Sequence, residues 1–306
     1  VENLKSVLRN AFWGSALLLA ATGPARSQSA GHYLAGSSGI NSAAIPQARE
    51  HSFKSLTGMY YASEYVPCDG GETSLDSNLD LLFGSIEYRF MSGRRLLGGN
   101  YGFAFKFIFA EADFNVTNPG IQDGPVGVGD PGVTPLLLGW RSGILHWMFD
   151  YSFFVPVGRY DEAAVDNVGK GHWSHLFSLG GNGRAGADST WSGTLIARYE
   201  YNTKLEDRDL KPGDDVIVEA ALGKRLWGAF DVGAVGYGVW QVTDHSGSAA
   251  DTEGCGSRAR IMAAGIELAL IVPDQPVEIK WRTYGQFAAR ERYSGSESML
   301  ELYFYF

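Results

Sequence analysis

The sequence predicts an all-β chain, a transmembrane antiparallel up-and-down β-barrel of about 12 strands, and three observations carry that prediction. From Phe53 onward the chain divides into stretches of about ten to fifteen residues in which apolar and polar side chains alternate. The connections between these stretches run long, short, long, short. The closing stretch "MLELYFYF" sets Leu300, Leu302, Phe304 and Phe306 on one side and Met299, Glu301, Tyr303 and Tyr305 on the other, as a strand does.

The first thirty residues stand apart. Lys5 and Arg9 precede the apolar run "AFWGSALLLAA", and Pro24 and small residues lead to Ala30, the pattern of a secretory signal peptide. The apolar run is about half of the ~20 residues a membrane-spanning helix requires. Cleavage after Ser27, Ser29 or Ala30 fits the small-residue rule, and Ala30 is the preferred position. Residues 31–52 then form an N-terminal segment inside or beneath the barrel, and residues 53–306 form the barrel itself.

The strands are expected over residues 53–65, 78–90, 100–114, 132–140, 143–156, 172–181, 189–203, 214–224, 227–242, 257–272, 276–287 and 297–306. In "YGFAFKFIFAEADF", Tyr101, Phe103, Phe105, Phe107 and Phe109 share one face while Lys106 and small residues share the other. In "ILHWMFDYSFFV", Leu145, Trp147, Phe149, Tyr151, Phe153 and Val155 alternate with His146, Met148, Asp150 and Ser152. In "VEIKWRTYGQF" the polar face carries both signs of charge, Glu278 with Lys280 and Arg282. Sandwich strands average about five or six residues, whereas tilted strands crossing a bilayer need about nine to eleven.

The long connections are "VPCDGGETSLDS", "NVTNPGIQDGPVGVGD", "VGRYDEAAVDNVGKG", "TKLEDRDLKPG", "TDHSGSAADTEGCGS" and "AARERYSGS". The short ones fall around "MSGRRLLGG", "RSG", "GNGRAGAD", "GKRLWG" and "PDQP". Short periplasmic turns opposite long external loops are the asymmetry of bacterial outer-membrane barrels. Closure of the last strand on the first removes any exposed edge. Leu302, Phe304 and Phe306 then face lipid and make an aromatic terminal signal of the kind the barrel assembly machinery reads.

Composition agrees with a barrel and excludes other classes. Glycine (40 residues) and aromatic residues (13%) are abundant, which favours β architecture. Loss of residues 1–30 removes Lys5, Arg9, Arg26 and Glu2, leaving 22 basic against 33 acidic residues and a net charge of −11, which argues against nucleic acid as a partner. Gly181, Gly183 and Gly186 with Glu200 match a dinucleotide fingerprint, but the strand-like "STWSGTLIARYEYN" follows where a helix is needed, so the glycines read as a turn. His172 and His175 point to opposite faces of a strand and cannot chelate together. Asp207, Asp209, Asp214 and Asp215 lack the spacing of a calcium loop and read as a solvated loop. No metal or other cofactor is expected, and the common hydrolase signatures are absent. Cys68 and Cys255 fall in two long loops on one side in an oxidising compartment, so a disulfide between them is open if their Cα atoms come within about 7 Å.

The inward face supplies the candidate lumen-lining residues: Glu87, Arg89, Lys106, Asp150, Arg198, Glu200, Glu219, Asp231, Glu267, Glu278, Lys280 and Arg282. Such charges either pair to fill the interior or line a solute path, and a barrel of about twelve strands lies between filled barrels and wide porins.

The stretches "GHYLAGSSGINSAAIP" and "GVGDPGVTPLLLGW", with the aromatic closing strand, resemble the family of outer-membrane proteins of the meta pathway of phenol degradation. Gly129, Asp130 and Pro131 followed by Pro135, Leu138, Gly139 and Trp140 are its most specific match. The resemblance implies an outer-membrane channel for small hydrophobic or aromatic compounds. Independently of it, Gly127, Gly129 and Asp130 read as a turn with Pro131 at a strand start, where no ladder donor is needed. The leading expectation is passive uptake of such solutes. An enzyme of the barrel phospholipase type would need a Ser–His pair on the lipid-facing wall, which the alternation does not offer, and the third alternative is a structural barrel with a filled lumen.

Overall fold

The computed structural model of the chain describes residues 31–44, 50–67, 77–116, 127–161, 167–186, 190–250 and 258–306. The leader read over residues 1–30 and both cysteines of the conjectured bridge, Cys68 and Cys255, lie outside the described residues. In chain order the strands are β1 (Glu50–Val66), β2 (Ser77–Leu96), β3 (Gly99–Val116), the two-residue β4 (Gly127–Val128), β5 (Gly132–Ser142) and β6 (Leu145–Phe154). They continue as β7 (Ser174–Ala185), β8 (Trp191–Asn202), β9 (Asp215–Leu226), β10 (Phe230–Gln241), β11 (Arg260–Ile271), β12 (Val277–Arg290) and β13 (Arg292–Tyr305).

Each long strand pairs antiparallel with its neighbour in sequence, and β13 pairs with β1, so the twelve close into a barrel. At the seam Phe53 stands opposite Phe304 on one side and Tyr88 on the other. Closure leaves no long strand with an unpaired edge, the arrangement lipid demands of a sheet that crosses it.

Alternation assigns the two faces. On β8 the side chains of Trp191, Leu195, Tyr199 and Tyr201 are exposed, while Ser192, Thr194, Arg198, Glu200 and Asn202 are buried. Around the wall the exposed band has Leu179, Leu195, Leu222, Ile266 and Leu268 at mid-height. Rings flank it: Phe53, Trp147, Trp191, Trp227, Phe230 and Phe304 toward the short turns, and Tyr61, Trp173, Tyr201 and Phe287 toward the long loops. An apolar belt between aromatic girdles, outside a charged interior, fits hydrocarbon and not water.

The short turns use the left-handed backbone that two-residue hairpins need. Leu97 and Gly98 have φ of 51° and 78°, matching strand twist through a primed turn. Trp140 caps this turn by donating its indole N–H to the Leu97 carbonyl at 3.1 Å.

Several connections differ from expectation. "AARERYSGS" is not a long loop: β12 and β13 continue through it with Glu291 alone between them, and Ala288 and Glu291 take positive φ. The ladder needs only main-chain groups, so a charged sequence can extend a hairpin past the bilayer. "MSGRRLLGG" likewise keeps Arg94 and Arg95 on β2. Gly127 is not part of a turn; with Val128 it bridges to Ala110 and Phe109 of β3. Gly181 and Gly183 lie within β7, paired with Leu195 and Gly193, and only Gly186 turns. His172 precedes β7 and is buried inward, while His175 on the strand stacks outside with Tyr151.

Candidate functional site: the lumen and the segment within it

Residues 31–44 form neither helix nor strand, and their main-chain N–H groups still require partners. The barrel wall supplies them as carboxylates. Glu200 on β8 accepts from the N–H of His32 at 2.5 Å and of Tyr33 at 3.2 Å. Glu219 on β9 accepts from the N–H of Gly36 at 2.8 Å and of Ser38 at 3.1 Å, and from the Tyr33 hydroxyl at 2.7 Å. Glu267 on β11 accepts from the Ile40 N–H at 3.2 Å. The Asn41 side chain donates to Asp231 at 3.3 Å, and the Asn41 N–H to Thr194 at 3.0 Å. The segment thus threads the interior from the long-loop end toward the short-turn end, docked on β8 to β13.

Each docking carboxylate is backed by a cation or a donor on the wall. Arg282, fully buried, binds Glu267 at 2.6 Å and Glu301 at 2.5 Å, and donates to the Ser37 carbonyl at 3.1 Å. Arg198 pairs with Glu219, donates to Ser38 Oγ at 2.9 Å and lies 4.2 Å from the centre of the Tyr33 ring. Arg225 holds Asp231 through two bonds of 2.8 Å. Such fork geometry fixes carboxylate orientation as well as charge. Burial raises the Tyr33 hydroxyl well above its ordinary range, so it remains a donor to Glu219.

The segment is shaped to this wall. A Cβ on Gly39 would strike both Glu267 Oε2 and Arg282 Nε. Ile40, next in sequence, is buried against Ile217 and Val235.

At the long-loop end a second group of contacts fixes the segment. His32 Nε2 lies 2.8 Å from Asp130 Oδ2, and His32 Nδ1 lies 2.7 Å from Ser174 Oγ. Asp130 also accepts the N–H groups of Gly158 and Lys170, each at 2.7 Å, so it ties two loops to the segment. The His32 ring stacks on Phe154 and meets His172 edge-on. Burial pushes the His32 imidazole down from 6.5 to about 4, against the pull of its Asp130 hydrogen bond. Burial pushes the Asp130 carboxyl up, but the bonds from His32, Lys170 and Gly158 outweigh it and hold the group below the usual carboxylate range.

Ser174, His32 and Asp130 match the distances of a nucleophilic relay, but not its chemistry. The serine is 0% exposed, its Oγ donates to Asn202 Oδ1 at 2.6 Å, and it meets Nδ1 while the carboxylate meets Nε2, the reverse of the hydrolase order. The arrangement serves as a latch.

Opposite the docked face the interior is open. A cavity of about 330 Å³ lies between the segment and the wall of β1 to β7 with β12 and β13, and Lys54, Glu87, Arg89, Lys106, Asp150 and Tyr303 line it. Glu87 pairs there with Arg89 at 2.8 Å and Lys106 at 3.1 Å, and Lys280 with Glu278 at 3.0 Å. A smaller cavity of about 120 Å³ is walled by Tyr60, Phe83, Tyr237 and Tyr293.

All twelve residues selected from the sequence project inward. Glu87, Arg89, Lys106, Asp150, Glu278 and Lys280 border the larger cavity, whereas Glu200, Glu219, Asp231 and Glu267 hold the segment. Arg282 and Arg198 do their work from beneath it, although Arg198 also reaches the cavity. The acidic loop does not converge: Asp209 binds Lys204 and Ser248, while Asp214 binds the Asn202 N–H and Tyr199. Lys54, Glu297 and Glu301 also face the lumen. The dyad pattern places Glu301 there, opposite Leu300 and Leu302. Of the closing residues, Phe304 and Phe306 are exposed on the outer face, and Phe306 stacks with His51.

The family described as "Putative MetA-pathway of phenol degradation" matches residues 66–302. An outer membrane channel from Pseudomonas putida F1 superposes with a TM-score of 0.74 at 12% identity, over 86% of this chain and 97% of that one. The β domain of the Bordetella autotransporter BrkA gives a TM-score of 0.48 at 12% identity, over 85% and 100%. No curated protein matches in sequence.

Proposed function

The chain belongs to this phenol-degradation family, and we propose on that premise that it is a channel for passive uptake of small hydrophobic or aromatic compounds, and not an enzyme. It resides in the bacterial outer membrane, with its apolar belt against lipid. The observation that carries the reading is the cavity of about 330 Å³ beside the docked segment: the lumen is constricted but not filled. Its wall mixes ion pairs with the rings of Tyr33, Phe154, Tyr303 and Tyr305, which suits aromatic solutes bearing a polar group. Leu302, Phe304 and Phe306 are the residues proposed to meet the barrel assembly machinery.

The test is swelling of liposomes carrying the purified protein. Aromatic alcohols or acids should enter faster than sugars of similar mass. Equal rates would remove the solute assignment, and no swelling with either would favour a structural barrel. The relay-like distances around Ser174 give the enzyme its one supporting observation. Labelling of Ser174 by a fluorophosphonate, with hydrolysis of an ester or lipid, would establish that alternative; neither is expected.

A further inference from the structure

Glu200 is buried in the lumen, and the main-chain N–H groups of His32 and Tyr33 donate to it. The neutral His32 ring lies beside it, with Nδ1 3.8 Å away. Asp215 adds a second negative charge nearby and Lys170 a positive one. The residue before His32 is seated on the same carboxylate. Gly31 is buried, and a Cβ there would collide with Glu200 Oε2 and Cδ, so a side chain at this position would displace the carboxylate. Successive main-chain units therefore converge on one carboxylate, the geometry by which proteins capture an anion or, reciprocally, a chain's amino terminus.

We propose that Gly31 is the first residue of the mature chain and that its α-ammonium pairs with Glu200. A leader peptidase would hydrolyse the Ala30–Gly31 amide: water adds across the C–N bond, the carboxylate stays on Ala30, and the freed amine takes up a proton. Two features of the chain converge on this bond. Ala30 ends the small-residue stretch behind the apolar run, and the backbone at Gly31 sits where a side chain would press on the Glu200 carboxylate. Processing then does two things at once: it releases the leader and creates the cation that docks the segment. This holds whichever solute the channel carries.

The experiment uses the mature protein purified from outer membranes. Intact mass should place the amino terminus at Gly31. Reductive methylation at neutral pH should modify the Gly31 α-amine roughly tenfold or more slowly in the folded barrel than in the same protein unfolded in denaturant, because a desolvated, paired ammonium is withheld from reagent. Glu200→Gln should abolish that protection, as should one alanine inserted after Ala30 and retained in the mature chain. A mature chain starting elsewhere, or a Gly31 amine that reacts equally fast folded and unfolded, overturns the proposal. The comparison within the wild-type protein keeps the test decisive even if Glu200→Gln does not fold.

Discussion

His32 Nε2 lies 2.8 Å from Asp130 Oδ2, joining two residues 98 positions apart across the lumen mouth. This contact ties together the two stretches on which the sequence resemblance rests. Replacing His32 with Ala should weaken docking of residues 31–44 by about 1.5–3 kcal/mol, the range for a hydrogen bond to a charged group. Asp130→Ala should cost more, because the N–H groups of Gly158 and Lys170 lose their acceptor as well. Protease sensitivity of the segment in the folded barrel checks the order: wild type least, Asp130→Ala most.

The latch should respond to acid. Burial depresses the His32 pKa from 6.5 to about 4, so the released segment binds a proton in that window and the docked one does not. Docking is therefore at full strength above pH 6.5 and weakens as pH falls toward 4, by about 3 kcal/mol for His32 alone. Channel conductance recorded from pH 7.5 to 4.5 should rise, and His32→Gln should flatten much of the rise.

Gly39 has no room for a side chain beside Glu267 and Arg282. Gly39→Val should expel the segment at a cost of about 1–3 kcal/mol or more, while leaving the barrel closed. Unchanged heat-modifiable migration together with new cleavage near residue 39 is the expected pair of results.

The outer wall gives a contrasting prediction. Leu195 is exposed at mid-height, next to the inward Thr194. Leu195→Arg should destabilise the barrel in lipid by about 2–4 kcal/mol, whereas Thr194→Ser should leave folding in lipid nearly unchanged. Urea titration of the two variants refolded in vesicles measures the difference.

The strands were legible in the sequence because their signal is local. Alternation on β8 alone places Arg198 and Glu200 inside and Tyr199 and Tyr201 outside. What those charges hold was not legible, since Ile40 reaches Glu267 across 227 positions and no local pattern encodes such a pairing. His32 and Tyr33 could be singled out by resemblance, but not given a partner. Glu301 lies on the inward side of a stretch whose apolar side commands attention, and it completes the Arg282 cluster. At the Glu291 hairpin charged residues give the sequence a loop composition, although a ladder needs only their main chain.

Single-channel conductance in planar bilayers, comparing the mature protein with a chain lacking residues 31–44, tests directly whether the docked segment constricts the lumen. The segment occupies one side of the lumen and leaves a narrow cavity on the other, so the wild type should conduct weakly and the shortened chain several times more strongly. Identical conductance from two folded barrels would show that the segment does not stand in the path, and silence from both would show that there is no path.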